Sequence, residues 1–490
     1  MQKSLLFVLI LLSAITTDSF SQVKTRTYFS VSDNKEFVSK RKPEKDYTIV
    51  IPLEFEQKKN KAAKDEVTAN YVYKIAMPVQ VDLDILKEAE IVKSKDTIQY
   101  LIKLKAPTVY SLSLHFSDFF LSENAKMFIY TDKEVTGPIT QKQNNPDNFW
   151  ATIPYKGEEI TIEINVPKAE ANKSRLIVSK VFLGYADISG EYFGSPGSSA
   201  ACNRNVACPE GAGWDNERRS VATINLGGGS LATGVLIMNA CGTNIPYLLT
   251  ADHILGTNST VGQYVFQFQY WSTDCATNTG YHDNIQYNGS QLRARHAESD
   301  FALLELNQIP NPNLEIFYAG WSRSSQPATS ATGIHHPKGD LMKISRDINP
   351  VIPVSFFGGA ADHWRAIFDQ GIVQPGSSGS PLFDQNHRIV GQLSGDQNNA
   401  CPTTNNPCFC TQTPIGEYGR FDFAWTGGGT NATRLSNWLD PGNTGAFTTN
   451  TTNISNLSTL ITSFSIASYF GQDCSSVQMT ASVPSNIAIT

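Results

Sequence analysis

Along the chain the apolar positions come in short runs broken by turn residues, and these runs predict strands in two differently built stretches. Between residue 22 and about residue 196, Thr97–Leu104, Ser111–Phe116, Met127–Thr131, Phe149–Ile153, Ile160–Val166 and Leu176–Phe182 are β-branched or aromatic runs. Lys156-Gly157-Glu158, Asn144-Asn145-Pro146 and Asp132-Lys133 punctuate them, as turns do in an all-β sandwich. After Cys202 the chain is richer in glycine and aromatic residues, and Val235–Met238, Tyr264–Tyr270, Phe301–Leu306 and Ile389–Leu393 read as further strands. One helix is expected where Leu435, Trp438 and Leu439 recur at i, i+3 and i+4. A β-barrel or a second sandwich is the expectation for this half.

The ends and the joint have their own character. Lys3, the apolar run Leu5–Leu12 and Ser19-Phe20-Ser21 predict a signal peptide over residues 1–21. Tyr192–Ala201 is a Gly/Ser/Pro joint between the halves. Residues 450–490 hold no Lys or Arg and a single acid, Asp473, and read as a Thr/Ser/Asn linker into a C-terminal region containing Cys474. The expected plan is thus 1–21 signal peptide, 22–196 β-rich N-terminal module, 197–449 main domain and 450–490 linker.

Length and composition sharpen this plan. At 490 residues two or three domains are expected. With 35 Gly, 24 Pro and 17% charged residues the chain is neither an acidic disordered tail nor a coiled coil. A formal charge of -6 argues against nucleic acid as a partner. Up to residue 200 there are 26 basic and 25 acidic residues, and beyond it 13 against 20. All eight cysteines also fall after residue 200. In an exported protein they predict disulfides, and Cys408-Phe409-Cys410 is too close for zinc spacing. No metal site, cofactor motif or membrane span is expected.

Three segments carry candidate chemistry. YLLTADHI ends an apolar strand at His253, ESDFALLEL places Asp300 before another, and QPGSSGSPLF sets Ser378 in a Gly-Ser-Ser-Gly turn. Amide hydrolysis needs a nucleophile, a base, a carboxylate to orient that base, and backbone N–H groups for the developing oxyanion. His253, Asp300 and Ser378 supply the first three. Gly376 and Gly379 allow a sharp turn that aims the N–H groups of Gly376 and Ser378 into one space. Taken singly each segment is an ordinary turn or strand end; the order His, Asp, Ser at successive strand boundaries is the one used by chymotrypsin-type barrels. Asp252 is a weaker rival to Asp300, because adjacent strand residues face opposite ways.

Residues 200–447 resemble the lysyl endopeptidase family of secreted bacterial serine proteases. The resemblance lies in CNRNVACPEG, LLTADHI, SDFALLELN, YAGWSRSSQ, GIHHP, PGSSGSPLFD, VGQL, YGR, WTGGG and RLSNWLDPGNTGA. It implies a chymotrypsin-type double β-barrel, with His253 as base, Asp300 as its orienting partner, Ser378 as nucleophile, and Gly376 and Ser378 as oxyanion donors. It also implies polypeptide substrates, an extracellular location, and residues 22–196 as a propeptide that inhibits or chaperones the protease. Among the cysteines it implies Cys208 with Cys275, and Cys202 with one of Cys401, Cys408 and Cys410.

The departures concern specificity. The family's acidic pocket residue falls at Gly416, with Glu417 beside it; its histidine near GQL is Ser394, and its tryptophan before Gly-Gly is Phe357. Asp396 is the nearest remaining acid for a lysine pocket, and a solvated turn residue is an equal reading of it. Position 254 is Ile where the family has a cysteine, so one bridge is lost. The joint contains neither Lys nor Arg, and the residue before the nucleophile is Ser377, not an acid. No ion pair from a new N-terminus to that position is available, and steric cover by the propeptide is the simpler form of inhibition. A secreted serine endopeptidase, with cleavage after lysine left open, is the leading expectation. An inactive protease-like adhesin or binding module is the alternative.

Overall fold

The computed structural model describes residues 23–27, 43–44, 46–62, 73–132, 134–186, 199–256, 261–276, 285–358, 360–396 and 414–453. The predicted signal peptide, most of the joint, Cys401, Cys408, Cys410, Cys474 and most of the predicted C-terminal linker lie outside them.

The N-terminal half is built from two sheets around one core. One runs Asp46–Thr48, Thr97–Lys105, Glu159–Pro167, Lys126–Tyr130 and Glu134–Ile139, and the other Trp150–Ala151, Ser111–Phe120, Arg175–Gly184 and Ala76–Asp84. Side chains two apart on a strand share a face. Tyr100, Ile102 and Leu104 from the first sheet therefore meet Leu112, Leu114 and Phe116 from the second in a single buried cluster. A register shift between Val178 and Lys180 lets Val178 and Val181 both point inward. The helix Leu53–Ala62 is absent from the sequence expectation. It buries only Phe55 through its first turn while Leu53 stands exposed, so no apolar period announces it.

The C-terminal half is two antiparallel sheets. The first contains Val221–Asn225, Ser230–Leu236, Tyr247–Ala251, Phe301–Leu306 and Ser290–His296, with Val265–Phe268 and Ile285–Asn288 on the other side. The second contains Lys343–Asp347, Ala331–His335, Pro381–Asp384, Ile389–Gly395, Ile415–Arg420 and His363–Ile367. This all-β architecture is the chymotrypsin-type expectation. Each sheet encloses its own apolar cluster, and a third cluster between them gathers Trp321, Phe383, Phe421, Trp425 and Leu439. The predicted C-terminal helix spans Ser436–Leu439, and Phe421–Thr426 forms another that the sequence did not announce. Pairing continues beyond residue 449, with Thr452–Asn453 against Phe317–Tyr318.

The two halves meet through strand addition. Lys74 and Tyr73 pair with Ser230 and Leu231, and Val23–Thr27 pairs with strands of both halves. No helix among the described residues is long and apolar enough to cross a membrane.

Candidate active site

His253 lies two residues past the end of the buried strand Tyr247–Ala251, which aligns antiparallel with Phe301–Leu306. That register brings the residues just outside both strands together. The Asp252 amide donates to the Asp300 carbonyl (2.8 Å), and the His253 amide donates to Asp300 Oδ1 (2.8 Å). The second carboxylate oxygen, Oδ2, lies 2.8 Å from His253 Nδ1. An ionised carboxylate only accepts, so Nδ1 carries the proton and Nε2 is left with a lone pair. Ser378 Oγ stands 2.9 Å from that Nε2, positioned to donate. Asp300 is 1% exposed and His253 16%, so the carboxylate is shielded while the imidazole reaches the surface. Asp252, the weaker rival, instead forms a bidentate pair with Arg295.

Ser378 arrives from the second sheet, and two threonines of the first hold its turn. The Thr233 amide donates to the Ser378 carbonyl (2.9 Å), and Thr233 Oγ1 donates to the Gly376 carbonyl (2.9 Å). Thr250 Oγ1 donates in turn to the Thr233 carbonyl (2.8 Å). Gly379 has φ +83°, and a Cβ there would stand 2.1 Å from Thr250 Oγ1, so only glycine fits against this clamp. Gly376 has φ +96° and packs on the Lys338 amide. The Pro375 carbonyl accepts from Lys338 N–H (2.7 Å) and the Ser377 carbonyl from Ser380 N–H (3.0 Å). Across a trans peptide N–H and C=O point in opposite directions, so the N–H groups of Gly376 and Ser378 are turned away from both partners.

Residues 196–408 match the family model described as lysyl endopeptidase, C-terminal domain. The chain is 28% identical over 267 residues to the lysyl endopeptidase of Pseudomonas aeruginosa, covering 50% of this chain and 56% of that protein. Residues 196–408 are lysyl endopeptidase-like in sequence. The chain thus spans little more than half the length of this curated relative. Solved structures with likeness to it include the protease Anisep from Arthrobacter nicotinovorans (15% identity, 44% of this chain and 93% of that one, TM-score 0.31). A Glu endopeptidase is another (19% identity, 44% and 90%, TM-score 0.29).

The positions where this sequence departs from the lysyl endopeptidase pattern are occupied as follows. Gly416 and Glu417 lie on the strand Ile415–Arg420 and face opposite ways. A Cβ on Gly416 would stand 2.9 Å from the Tyr418 ring and 3.0 Å from the Phe368 ring. Glu417 is fully buried, with Oε1 2.9 Å from Nε of Arg365, its partner across the sheet. Ser394 Oγ sits 3.0 Å from His363 Nε2, whose Nδ1 is 2.7 Å from Asp362. Phe357 is half exposed and packs edge-on against the His363 ring. Asp396 is half-buried just past the strand Ile389–Gly395. Ser394 and Phe357 thus meet at His363, while Glu417 turns to Arg365.

Cys208 and Cys275 form a disulfide, as the resemblance implies, and Cys202 and Cys241 are disulfide-bonded too. The Thr233–Thr250 clamp and the His363–Ser394 contact are missing from the sequence expectation. Both use residues ordinary for strands, and only the tertiary register brings them together.

Proposed function

We propose that the chain is the precursor of an extracellular serine endopeptidase that cleaves polypeptides through an acyl-enzyme. The observation that carries this is the hydrogen-bonded line from Ser378 through His253 to Asp300. On this reading Nε2 of His253 takes the Ser378 proton as Oγ attacks the scissile carbonyl, then returns it to the leaving amine. Asp300 fixes the Nε2-accepting tautomer and balances the imidazolium. The Gly376 and Ser378 N–H groups stabilise the oxyanion, an effect typically worth about 3 kcal/mol per donor.

Residues 1–21 serve as the signal peptide and 22–196 as a propeptide on this reading. Support comes from the separate apolar core of the N-terminal half and from its strand Tyr73–Lys74, which caps the edge of the protease strand Ser230–Leu236. As to the residue before the cut, Gly416 carries no side chain and the Glu417 carboxylate is bound to Arg365. Of the acids singled out in the sequence, Asp396 is the one we assign to a lysine preference.

The test compares the protein with Ser378→Ala and Asp396→Asn on a mixed peptide library, every cut being read by mass spectrometry. The proposal expects cleavage that vanishes with Ser378→Ala. If cuts follow Lys, Asp396→Asn should abolish that preference. Absence of cleavage by folded protein would favour the binding-module alternative.

A further inference from the structure

The residue before the nucleophile, Ser377, is fully buried, and its hydroxyl is not idle. Ser377 Oγ lies 2.8 Å from Nδ1 of His335, and Nε2 of His335 lies 3.0 Å from Ser345 Oγ. Both His335 and Ser345 have no exposure. Ser345 spends its single hydroxyl proton on the Ile372 carbonyl (3.1 Å). It must therefore accept from His335, which puts the imidazole proton on Nε2 and leaves Nδ1 a lone pair. Ser377 Oγ–H then donates to Nδ1, while its oxygen receives the Gln374 N–H at 3.4 Å. Every proton in the chain from Gln374 to Ile372 has one direction, and the chain closes on the segment 372–377 that leads into Ser378.

Resting on the serine protease reading above, we propose that His335, as the neutral Nε2–H tautomer, is a positioning residue that sets the Gly376–Ser378 turn for oxyanion binding. It does from within the sheet what a buried ion pair to an acid at position 377 would do. The neutral form is available because burial, with His336 and Lys343 nearby, pushes its pKa down to about 3. Two further holds act on the same segment. Gln374 Oε1 accepts from Ala200 N–H (2.9 Å) and Asn203 Nδ2 (2.8 Å), and Gly371, at φ +77°, lets the backbone pass against Ser345. A turn held this way needs no new N-terminus, so its geometry exists before any cleavage at the joint.

The experiment measures kcat and KM of the full chain and its variants on one peptide substrate, with thermal melting and labelling by a serine-reactive fluorophosphonate. Ser377→Ala should lower kcat about 10- to 100-fold with KM changed less than about threefold. His335→Asn keeps an acceptor where Nδ1 stood, whereas His335→Gln keeps only the contact toward Ser345. The proposal expects the Asn variant to be the faster of the two. Packing alone predicts the reverse, since Asn leaves the larger void. Wild-type kcat in folded Ser377→Ala, or Gln equal to or faster than Asn, overturns the proposal. If both His335 variants fail to fold, Ser377→Ala decides. Wild-type protein that shows no Ser378-dependent labelling overturns the protease reading and this inference together. Ser378-dependent labelling with an unaffected Ser377→Ala overturns this inference alone.

Discussion

Glu417 and Arg365 face each other across two neighbouring strands, the carboxylate fully buried and the guanidinium one-quarter exposed. The pair lies on the face of the strand opposite Gly416, because adjacent strand residues alternate. Glu417 is therefore a structural group, although its place beside the family's pocket position suggested a substrate charge. Glu417→Gln should leave the cleavage pattern unchanged. It should cost roughly 1–3 kcal/mol of stability, since a charged hydrogen bond is replaced in a buried site. Thermal melting and the peptide library check both parts, and an altered residue preference would refute the assignment.

Placing an acid at position 416 should fail for want of space. The rings of Tyr418 and Phe368 already occupy the volume a side chain would enter. Gly416→Asp is expected to lose about 1–3 kcal/mol from overpacking, and more from burying an unpaired carboxylate. It should gain no lysine preference. Adding Phe368→Ala removes one ring and should recover part of the folding yield. A well-folded Gly416→Asp that cuts after lysine would show that the rings yield.

Asp300 tests the tautomer argument. Asp300→Asn keeps the size and still offers an oxygen to the His253 amide, but its amide nitrogen meets Nδ1 as a donor. The imidazole then has to accept at Nδ1 and present a proton to Ser378, which is the wrong direction for a base. A fall in kcat of about 10⁴-fold is expected, with the fold and KM little changed. Asp252→Asn should be mild by comparison, because that carboxylate is committed to Arg295. Comparable losses from the two substitutions would contradict the assigned roles.

How far the sequence reached can be judged at particular residues. Phe301–Leu306 forms over the predicted bounds, and His253, Asp300 and Ser378 were legible because turn glycines and strand ends are local signals. Glu417 was misleading, since strand alternation there separates two neighbours that look equivalent in one dimension. Thr233 was invisible: its hydroxyl meets Gly376 across 143 residues, and nothing local distinguishes a clamping threonine from a strand-forming one. The helix Phe421–Thr426 was hidden for a related reason. Its FDFAWT sequence has the aromatic content of a strand, and packing against Trp321 decides its form. His335 was seen only inside the motif GIHHP, because its meaning depends on Ser345 from the neighbouring strand and Ser377 from the turn before Ser378.

The contact between the two halves should weaken in acid. His115, on the N-terminal strand Ser111–Phe120, is 4% exposed and packs beside Phe182. The turn at Gly227 in the C-terminal half covers it so closely that a Cβ there would stand 2.8 Å from the ring. Burial first, then the charge of Lys180, pushes the His115 pKa down from 6.5 to about 4. A group with a depressed histidine pKa binds fewer protons in the closed state than in the open one. The contact is thus at full strength above pH 6.5 and loses strength progressively between about 6.5 and 4, by up to about 3 kcal/mol if opening exposes the ring fully. Below about 4 both states are protonated and the loss levels off. Hydrogen exchange at the Gly227–Gly229 amides, measured in the full chain carrying Ser378→Ala so that self-cleavage cannot interfere, should accelerate over that window beyond the intrinsic pH effect. His115→Phe keeps an aromatic ring without a titrating group and should flatten the dependence. An equal acceleration in His115→Phe would assign the effect to other groups and remove His115 from the interface argument.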